Sequence, residues 1–407
     1  MKLLKIQVQG VPLFKNDTFE LDLYAKDRVP LPEDETLAPN DVFKLTKNDA
    51  IYSQNIIGLA GVNATGKTTA LNLIYLVLTI LTQPTVVRGF VNSTASRIGK
   101  INKEVTIQAI FWQDGHYYLL ESVLEHALGP NKENDTLFVD TFSFIDETLW
   151  QFRGSRISRS NLASFENFKE KSQVITRRNG PEDDKTVLPE NVRAFLNDGL
   201  SIVFPLIKRE DVYIEGRNKK LPEKTLSTPI VQAFDNSVEY LEWNAESSVY
   251  KLKFFNEPEQ IVSADVANAI LSRGTVEGAE LVTRAVDVLK KGGCLVIDEI
   301  EEALNRSLVS TAIDLFASPV TNPHGAQLFF STHYPQLLDS VHRKDNIYVL
   351  VRNENYKTEA IKFSDKVKRI ENKKSEVIMA NLIKGSTPRY PDVQAMRDYV
   401  RNYVNAQ

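Results

Sequence analysis

Four short apolar runs predict strands that are buried on both faces: Asn55 to Ala60, Gly293 to Ile297, Ala326 to Phe330 and Asn346 to Val351. Such strands are typical of a mostly parallel sheet that helices cover on both sides. Apolar residues at helical spacing predict helices before the second and third runs. They are Leu281, Val282, Ala285, Val286 and Leu289 in the first helix, and Leu304, Leu308, Ile313 and Phe316 in the second.

Other segments predict antiparallel strands, with a hairpin around the turn residues Gln113 to Gly115. The segments are KLLKIQVQG at the start, VTIQAIFW and HYYLLESV on either side of the turn, and Ser247 to Phe255. The stretch from about Glu125 to Val231 differs, because clusters such as RGSRISRSN and TRRNGPEDDK are typical of exposed loops or helix ends. We interpret this stretch as an insertion between two halves of one unit.

Composition fits an ordinary globular chain, with 407 residues, 42% hydrophobic and 25% charged. The single cysteine, Cys294, lies in an apolar run, which indicates a buried thiol in a reducing compartment. The longest apolar stretch, Leu71 to Leu81, is shorter than the roughly 20 residues that span a bilayer, and no secretory signal begins the chain. We therefore expect a soluble, cytoplasmic protein without a membrane partner.

The net charge of -4 argues against a chain that binds nucleic acid over its whole surface, although a local basic patch remains possible. Such a patch would come from the 125 to 231 stretch. Its candidate residues are Arg153, Arg156, Arg159, Arg177, Arg178, Arg217, Lys219 and Lys220. Acidic residues are interspersed, so solvated loops are the alternative interpretation.

Residues 61 to 69, GVNATGKTT, fit the pattern G-x-x-x-x-G-K-[ST] between a predicted strand and a predicted helix. In that setting backbone N–H groups and the positive end of the helix bind phosphate oxygens. Lys67 would reach the outer phosphates and Thr68 would ligate Mg²⁺. The residues expected to bind the nucleotide are Gly61, Val62, Asn63, Ala64, Thr65, Gly66, Lys67, Thr68 and Thr69.

Three further segments add chemistry to this loop. Asp298 and Glu299 follow the strand GCLVI, where an acid can hold the metal and a neighbour can orient the attacking water. Ser272 and Gly274, in ILSRGT, stand at a helix start that suits an anion or simply caps the helix. His333 follows the strand AQLFF, where it is either structural or able to contact a γ-phosphate.

These pieces, in this order, resemble the ABC-type ATPases: GVNATGKT is similar to Walker A, LSRGT to the signature motif, LVIDE to Walker B and STHY to the switch-histidine segment. A narrower resemblance is to bacterial AAA-family ATPases of the SMC-like and OLD-like group, found in anti-phage and abortive-infection systems. The segments that carry it are DEIEEALNRSLV, NPHGAQLFFSTHYPQLLD, HRKDNIYVLVRN and GSTPRYPDV. The resemblance covers residues 1–124 and 232–407, and the insertion matches no family.

The resemblance implies an α/β fold of the P-loop NTPase, ABC-ATPase type, with a mixed, mostly parallel sheet flanked by helices, an antiparallel β subdomain and an inserted arm. Four units are expected. Residues 1–124 would form the N-terminal lobe of the ATPase head and 125–231 the inserted subdomain. Residues 232–350 would form the C-terminal lobe of the head and 351–407 a helical tail.

The resemblance also implies a homodimer or higher oligomer that holds ATP and Mg²⁺ between Walker A of one subunit and the signature of the other. Ser272 and Gly274 would then act on the partner's γ-phosphate. Roles carried over to this chain are Lys67, Glu299 (catalytic base) and His333 in catalysis, Thr68 and Asp298 on Mg²⁺, and Asn305 at the dimer interface. The Q-loop glutamine stays open among Gln83, Gln108, Gln113 and Gln151.

The form LSRGT, in place of LSGGQ, and the lack of a membrane segment count against a transport subunit. We expect an ATPase that regulates or senses on behalf of a separate effector, a nuclease or toxin, in a bacterial anti-phage system. The alternative is a DNA-binding ATPase of the RecF or SMC type, acting in DNA repair or maintenance through the basic patch, with DNA or RNA as partner.

Overall fold

The computed structural model describes residues 1–30, 40–46, 50–82, 100–130, 138–181, 183–204, 214–216, 220–368 and 372–405, without the side chains of 128–130, 138–140 and 214–216. The strands are β1 (Lys2–Gln9), β2 (Thr18–Asp22), β3 (Val42–Lys44), β4 (Tyr52–Gln54), β5 (Ile56–Ala60), β6 (Glu104–Gln113), β7 (His116–Pro130), β8 (Phe138–Phe152), β9 (Ser172–Arg177), β10 (Ile214–Gly216), β11 (Val238–Asn244), β12 (Val249–Phe254), β13 (Gln260–Ser263), β14 (Cys294–Ile297), β15 (Gln327–Thr332), β16 (Ile347–Arg352) and β17 (Thr358–Lys362).

The α-helices are α1 (Lys67–Thr82), α2 (Arg159–Ala163), α3 (Phe165–Lys169), α4 (Glu190–Leu196), α5 (Thr228–Phe234), α6 (Ala264–Ile270), α7 (Arg273–Lys291), α8 (Arg306–Ala317), α9 (Phe363–Lys366), α10 (Lys374–Met379) and α11 (Tyr390–Asn405). Short 3₁₀ turns span Lys15–Asp17, Pro335–Ser340 and Lys344–Asn346. The chain is therefore a mixed α/β protein, as its apolar patterning predicts. None of the described helices combines the length and the hydropathy needed to cross a bilayer.

The central sheet has the strand order β10-β14-β15-β5-β16-β17. Every neighbouring pair is parallel except β16 and β17, which are antiparallel. The four predicted apolar runs are β5, β14, β15 and β16, with bounds shifted by one or two residues. All residues of β5, β14 and β15 are buried, because helices or a second sheet cover both faces. The carboxyl ends of these three strands therefore share one edge.

Helix α1 lies between the central sheet and an antiparallel sheet of order β2-β1-β6-β7-β8-β9. One core joins Ile6 of β1 and Leu59 of β5 to Leu73 and Leu76 of α1. Because both sheets pack against α1, this helix is buried around almost its whole circumference. The continuous apolar run from Leu71 to Leu81 predicts such burial.

The opposite face of the central sheet packs against α7 and α8. Helix α7 begins at its N-cap Ser272 and ends at Gly292, whose φ of 68° is the left-handed conformation that glycine adopts at low cost. Both predicted helices are present, but Leu304 was wrongly included in the second. It precedes the N-cap Asn305 of α8 and packs, partly buried, on the same core.

A small sheet of order β11-β12-β13 packs with α5 and α6 on the first half of α7. Leu241 of β11 and Tyr250 of β12 share its core with Val276 and Ala279 of α7. The predicted strand from Ser247 to Phe255 is the middle strand of this sheet, β12. The sheet thereby fixes the start of α7, where ILSRGT lies.

Part of the stretch interpreted as an insertion continues the antiparallel sheet. Strand β7 runs to Pro130 and pairs with β8, which pairs with β9. Phe142, Phe144 and Leu149 of β8 enter the core beside α1. The expected boundaries 124/125, 231/232 and 350/351 fall inside β7, α5 and β16, so the division into four units does not follow the secondary structure there.

A buried ion pair joins Glu147 of β8 to Arg178, the residue after β9. Arg178 Nη2 lies 2.6 Å from Glu147 Oε2, and Ser201 Oγ and the Ile202 N–H donate to the same carboxylate at 2.7 and 2.9 Å. The side chain of Glu147 is 0% exposed. Burial raises the pKa of Glu147, and the charge of Arg178 opposes that shift. Arg178 is therefore a structural residue.

Candidate active site

The loop from Gly61 to Gly66 joins β5 to α1, as the motif requires. Gly61 has a φ of 152° and Gly66 a φ of 87°. A Cβ at Gly61 would lie 2.5 Å from the carbonyl oxygen of Leu350, and one at Gly66 would lie 2.7 Å from Leu13 Cδ2. Because both positions also lack room for a side chain, the backbone can wind closely only with glycine.

Two residues that the sequence interpretation missed hold the loop in place. Arg352, the last residue of β16, donates from Nε and Nη2 to the Ala64 carbonyl at 3.1 and 2.6 Å. Thr358, the first of β17, donates its hydroxyl to the Thr65 carbonyl at 2.9 Å. The sequence feature that could have identified Arg352 is its position at the end of a buried strand. That strand belongs to the same sheet as β5, so Arg352 lies at the edge of the sheet where the loop begins.

Lys67 is buried at the start of α1, with 5% of the residue exposed. Its Nζ donates to the carbonyl oxygens of Gly61 at 2.8 Å and Val62 at 3.2 Å, and lies 3.4 Å from His333 Nδ1. The amine is thus folded back across the loop, with His333 beside it. A phosphate group would compete with the two carbonyls for this cation.

Burial lowers the pKa of the Lys67 amine, and the nearby carboxylates of Asp298, Glu299 and Glu301 oppose that shift. The site therefore sets one buried cation against three acids. An entering anion gains from the lysine, whereas the acids favour a bound cation or a proton.

The predicted metal residues meet directly. Thr68 Oγ1 donates to Asp298 Oδ2 at 2.6 Å, and the Ser331 hydroxyl donates to the other oxygen of Asp298. Ser331 Oγ also accepts from the Glu299 N–H at 2.8 Å, so it ties β15 to the end of β14. A hydroxyl and a carboxylate that converge in this way fit Mg²⁺, which binds one or two protein oxygens and completes its shell with water and phosphate. Ser331 was not identified from the sequence, although it begins STHY.

Glu299 and His333 form the second half of the constellation. His333 Nε2 lies 3.1 Å from Glu299 Oε1, and the His333 N–H donates to Glu301 Oε1 at 2.6 Å. Glu299 has a φ of 47°, a conformation in which residues other than glycine are uncommon. Such an outlier is retained where surrounding bonds over-determine it, which is typical of functional sites. Glu301, which is 9% exposed, was not assigned a role from the sequence.

A cleft of about 830 Å³ opens over these groups. Its lining includes the predicted residues Asn63, Ala64, Gly66, Lys67, Thr68, Thr69, Glu299 and His333. Gly61 and Val62 line an adjoining hollow, and Thr65 is buried with its hydroxyl donating to the Val62 carbonyl at 2.8 Å. Three of the four predicted motif segments therefore converge on one cavity.

Ser272 and Gly274 are not brought to this cleft within one chain. Ser272 Oγ accepts from the Thr275 N–H at 3.1 Å and caps α7. A Cβ at Gly274 would lie 2.9 Å from the carbonyl oxygen of Ala303, a residue that does line the cleft. Asn305 caps α8 by accepting from the Ser307 N–H at 2.9 Å. Within one chain Ser272 and Asn305 act as helix caps and Gly274 lies in the first turn of α7, and the roles of these residues across a dimer stay predictions.

Of the glutamines considered for the Q-loop, Gln108 and Gln113 lie on β6 and Gln151 on β8, and none lines the cleft. Gln83 lies outside the described residues.

The predicted basic patch is only partly exposed. Arg178 is buried against Glu147, and Arg177 lies 3.8 Å from Asp184. The exposed members are Arg153, Arg156, Arg159 and Lys220, while Arg217 and Lys219 lie outside the described residues. The part of the patch that the structure describes therefore loses Arg178 to the core, and two further cations, Arg177 and Lys220, are paired with acids.

Comparison with protein-family models and with curated proteins finds no match to this chain. Among solved structures, the SMC head domain from Thermotoga maritima is similar at a TM-score of 0.37 and 10% sequence identity, covering 89% of this chain and 99% of that one. A TM-score of this size supports neither the fold nor the function, so both rest on the geometry of the chain itself.

Proposed function

We propose that the protein is a Mg²⁺-dependent ATPase of the ABC type that binds and hydrolyses ATP in the cleft above the α1 start. The observation that carries the proposal is the convergence of Lys67, Thr68, Asp298, Glu299 and His333 at the carboxyl edge of one parallel sheet. Phosphoryl transfer needs mainly positioning and charge stabilisation, and these groups supply both.

The backbone of residues 61–66 and the start of α1 would bind the β- and γ-phosphates, with Lys67 leaving the Gly61 and Val62 carbonyls for a phosphate oxygen. Thr68 and Asp298 would hold Mg²⁺, which when bound neutralises charge on the phosphate oxygens. Glu299 would accept the proton of the attacking water. His333, already 3.1 Å from that carboxylate, would orient it and donate to the γ-phosphate.

The ATP would bridge two copies of the chain. Ser272 is exposed at the start of α7, yet it is not part of the cleft of its own chain. A nucleotide bound by one subunit would therefore meet the Ser272 hydroxyl and the Gly274 backbone of a second subunit. ATP would close the dimer and hydrolysis would open it. The dimer would then have two states, and a partner protein could bind one of them in preference to the other.

The direct test combines two measurements on the purified protein with ATP and Mg²⁺. We expect phosphate release and a shift from a smaller species to a dimer in size-exclusion chromatography with light scattering. Omission of Mg²⁺ should stop the release of phosphate. A protein that neither binds ATP nor releases phosphate would contradict the proposal, and hydrolysis by a strict monomer would contradict the bridging.

Replacement of Ser272 should impair hydrolysis without preventing ATP binding to an isolated subunit. Ser272→Asn keeps an N-cap side chain, so its folding cost is small, whereas Ser272→Ala also loses the cap at about 1 kcal/mol. Both variants should lose the hydroxyl that reaches the partner's γ-phosphate. ATPase assays and titration of nucleotide at low protein concentration measure the two effects. Equal loss of binding and hydrolysis in the Asn variant would contradict the trans assignment.

For the biological role we favour control of a separate effector, a nuclease or toxin, in an anti-phage system. The support is the resemblance of the sequence and the helix α11, which exposes Met396, Tyr399 and Tyr403 by 60 to 70%. An apolar helix face that the described chain leaves uncovered suits a partner protein.

The alternative, a DNA-maintenance ATPase, depends on the basic patch. Co-purification of the protein with the other products of its native operon tests for an effector. The Lys67→Ala variant, in which ATP binding and hydrolysis should be impaired, is the control. Steeply salt-dependent DNA binding by the protein alone would favour the alternative.

A further inference from the structure

A second hollow adjoins the nucleotide cleft on the side away from the catalytic groups. It has a volume of about 420 Å³ and shares Leu13, Thr69 and Arg352 with the cleft. Lys67, Glu299 and His333 do not line this second hollow. If the terminal phosphate of a triphosphate lay at those three groups, its nucleoside could pass Thr69 and Leu13, which line both cavities, into this hollow.

The outer wall of the hollow is the turn between β16 and β17, which is bonded to the loop after β1. The Thr358 N–H donates to the Leu13 carbonyl at 2.8 Å, and Lys357 Nζ donates to the Pro12 carbonyl at 2.5 Å. The wall is also bonded to the phosphate loop through Arg352, which donates to the carbonyls of both Ala64 and Tyr356. The nucleoside wall and the phosphate loop are thus held as one unit.

Tyr356 projects from this turn in an unusual state. It lines the hollow, it is 72% exposed, and its φ is 58°. A bulky residue in the left-handed region is a steric outlier, where glycine or asparagine would cost less. An aromatic ring kept exposed at a strained position, beside a cavity that opens from a phosphate site, points to a function in binding.

Resting on the ATPase proposed above, we infer that this hollow is the nucleobase site and that the ring of Tyr356 stacks on the base, with Leu13 on the phosphate side. Stacking contacts the flat face that all bases share and makes little contact with the edge that distinguishes one base from another. The substrate class is therefore a nucleoside triphosphate of any base, with adenine and guanine accepted alike.

The test compares nucleotide with its phosphate chain alone. Isothermal titration with Mg²⁺ measures the affinity for AMP-PNP, GMP-PNP and inorganic tripolyphosphate. The wild type should bind both nucleotides more tightly than tripolyphosphate, and Tyr356→Asn should weaken the nucleotides by about tenfold. Tripolyphosphate affinity should not change. Tyr356→Phe should keep the wild-type preference, because it keeps the ring.

Asparagine tolerates the left-handed backbone, so Tyr356→Asn should unfold at or above the wild-type temperature, which separates lost stacking from misfolding. Tyr403→Asn, at a tyrosine of similar exposure on α11, is the matched control and should bind nucleotide normally. A wild type that binds tripolyphosphate as tightly as AMP-PNP overturns the nucleobase site and leaves the ATPase proposal standing, as does undiminished AMP-PNP binding by Tyr356→Asn. A wild type that binds none of the three overturns both.

Discussion

Glu299→Gln is expected to reduce ATP hydrolysis by on the order of 10²- to 10⁴-fold while the protein still binds ATP and accumulates as an ATP-bound dimer. A glutamine cannot take the proton from the attacking water. It has the shape of the carboxylate, however, and can keep an oxygen near His333 Nε2, which lies 3.1 Å from Glu299 in the wild type. Binding therefore survives while water activation fails.

Phosphate release and size-exclusion chromatography with ATP and Mg²⁺ measure the two halves of this result. Glu246→Gln, at an exposed acid in the turn between β11 and β12, is the control and should hydrolyse ATP at the wild-type rate. A variant that stays monomeric with ATP would count heavily against an ATP-bridged dimer. Hydrolysis at the wild-type rate would remove Glu299 from the role of base.

Lys67→Ala should lower hydrolysis and weaken ATP binding, with a loss in rate on the order of 10²- to 10³-fold, the range for removing one preorganised donor from a transition state. The amine is buried beside His333 and bonds two loop carbonyls, so it is already positioned where a phosphate would displace them. Burial lowers the pKa of the amine, so an anion that enters beside it stabilises its charged form.

Nucleotide titration and phosphate release check this prediction, and thermal unfolding shows whether the loop survives the loss of the two carbonyl bonds. Lys67→Met keeps the stem of the side chain and should behave like the alanine variant in catalysis. Lys290→Ala is the control, because Lys290 is exposed at the end of α7 that leads into the amino end of β14, opposite the cleft. ATP binding of wild-type strength in both Lys67 variants would contradict a phosphate role.

The parts of the fold that were predicted correctly are those in which burial is a local property. Strands β5, β14 and β15 are buried along their whole length, so an unbroken apolar run is their signature. The missed strand β8 is buried on one face only, and its register against β7 shifts beside Ile145, which is 45% exposed. That irregularity breaks the alternation that would have indicated a strand.

Contacts with distant partners could not be predicted in the same way. The interpretation of Arg178 as part of a basic patch failed because its partner Glu147 lies 31 residues earlier, in a segment for which no strand was predicted. Arg352 was overlooked for a related reason, since its contact with Ala64 joins positions 288 residues apart. Charge patterns along a chain do not show which charges face water.

The sequence by itself determined the strand, loop and helix around Lys67, because glycine spacing and apolar runs act through local backbone sterics and burial. It also marked Thr68, Asp298, Glu299 and His333 as candidates. Only the tertiary structure decided that these residues share one cleft, since the parallel order of β14, β15 and β5 brings three strand ends to one edge. It alone also placed Tyr356 beside that cleft and Ser272 away from it, because side-chain positions across a sheet depend on strand order and not on distance along the chain.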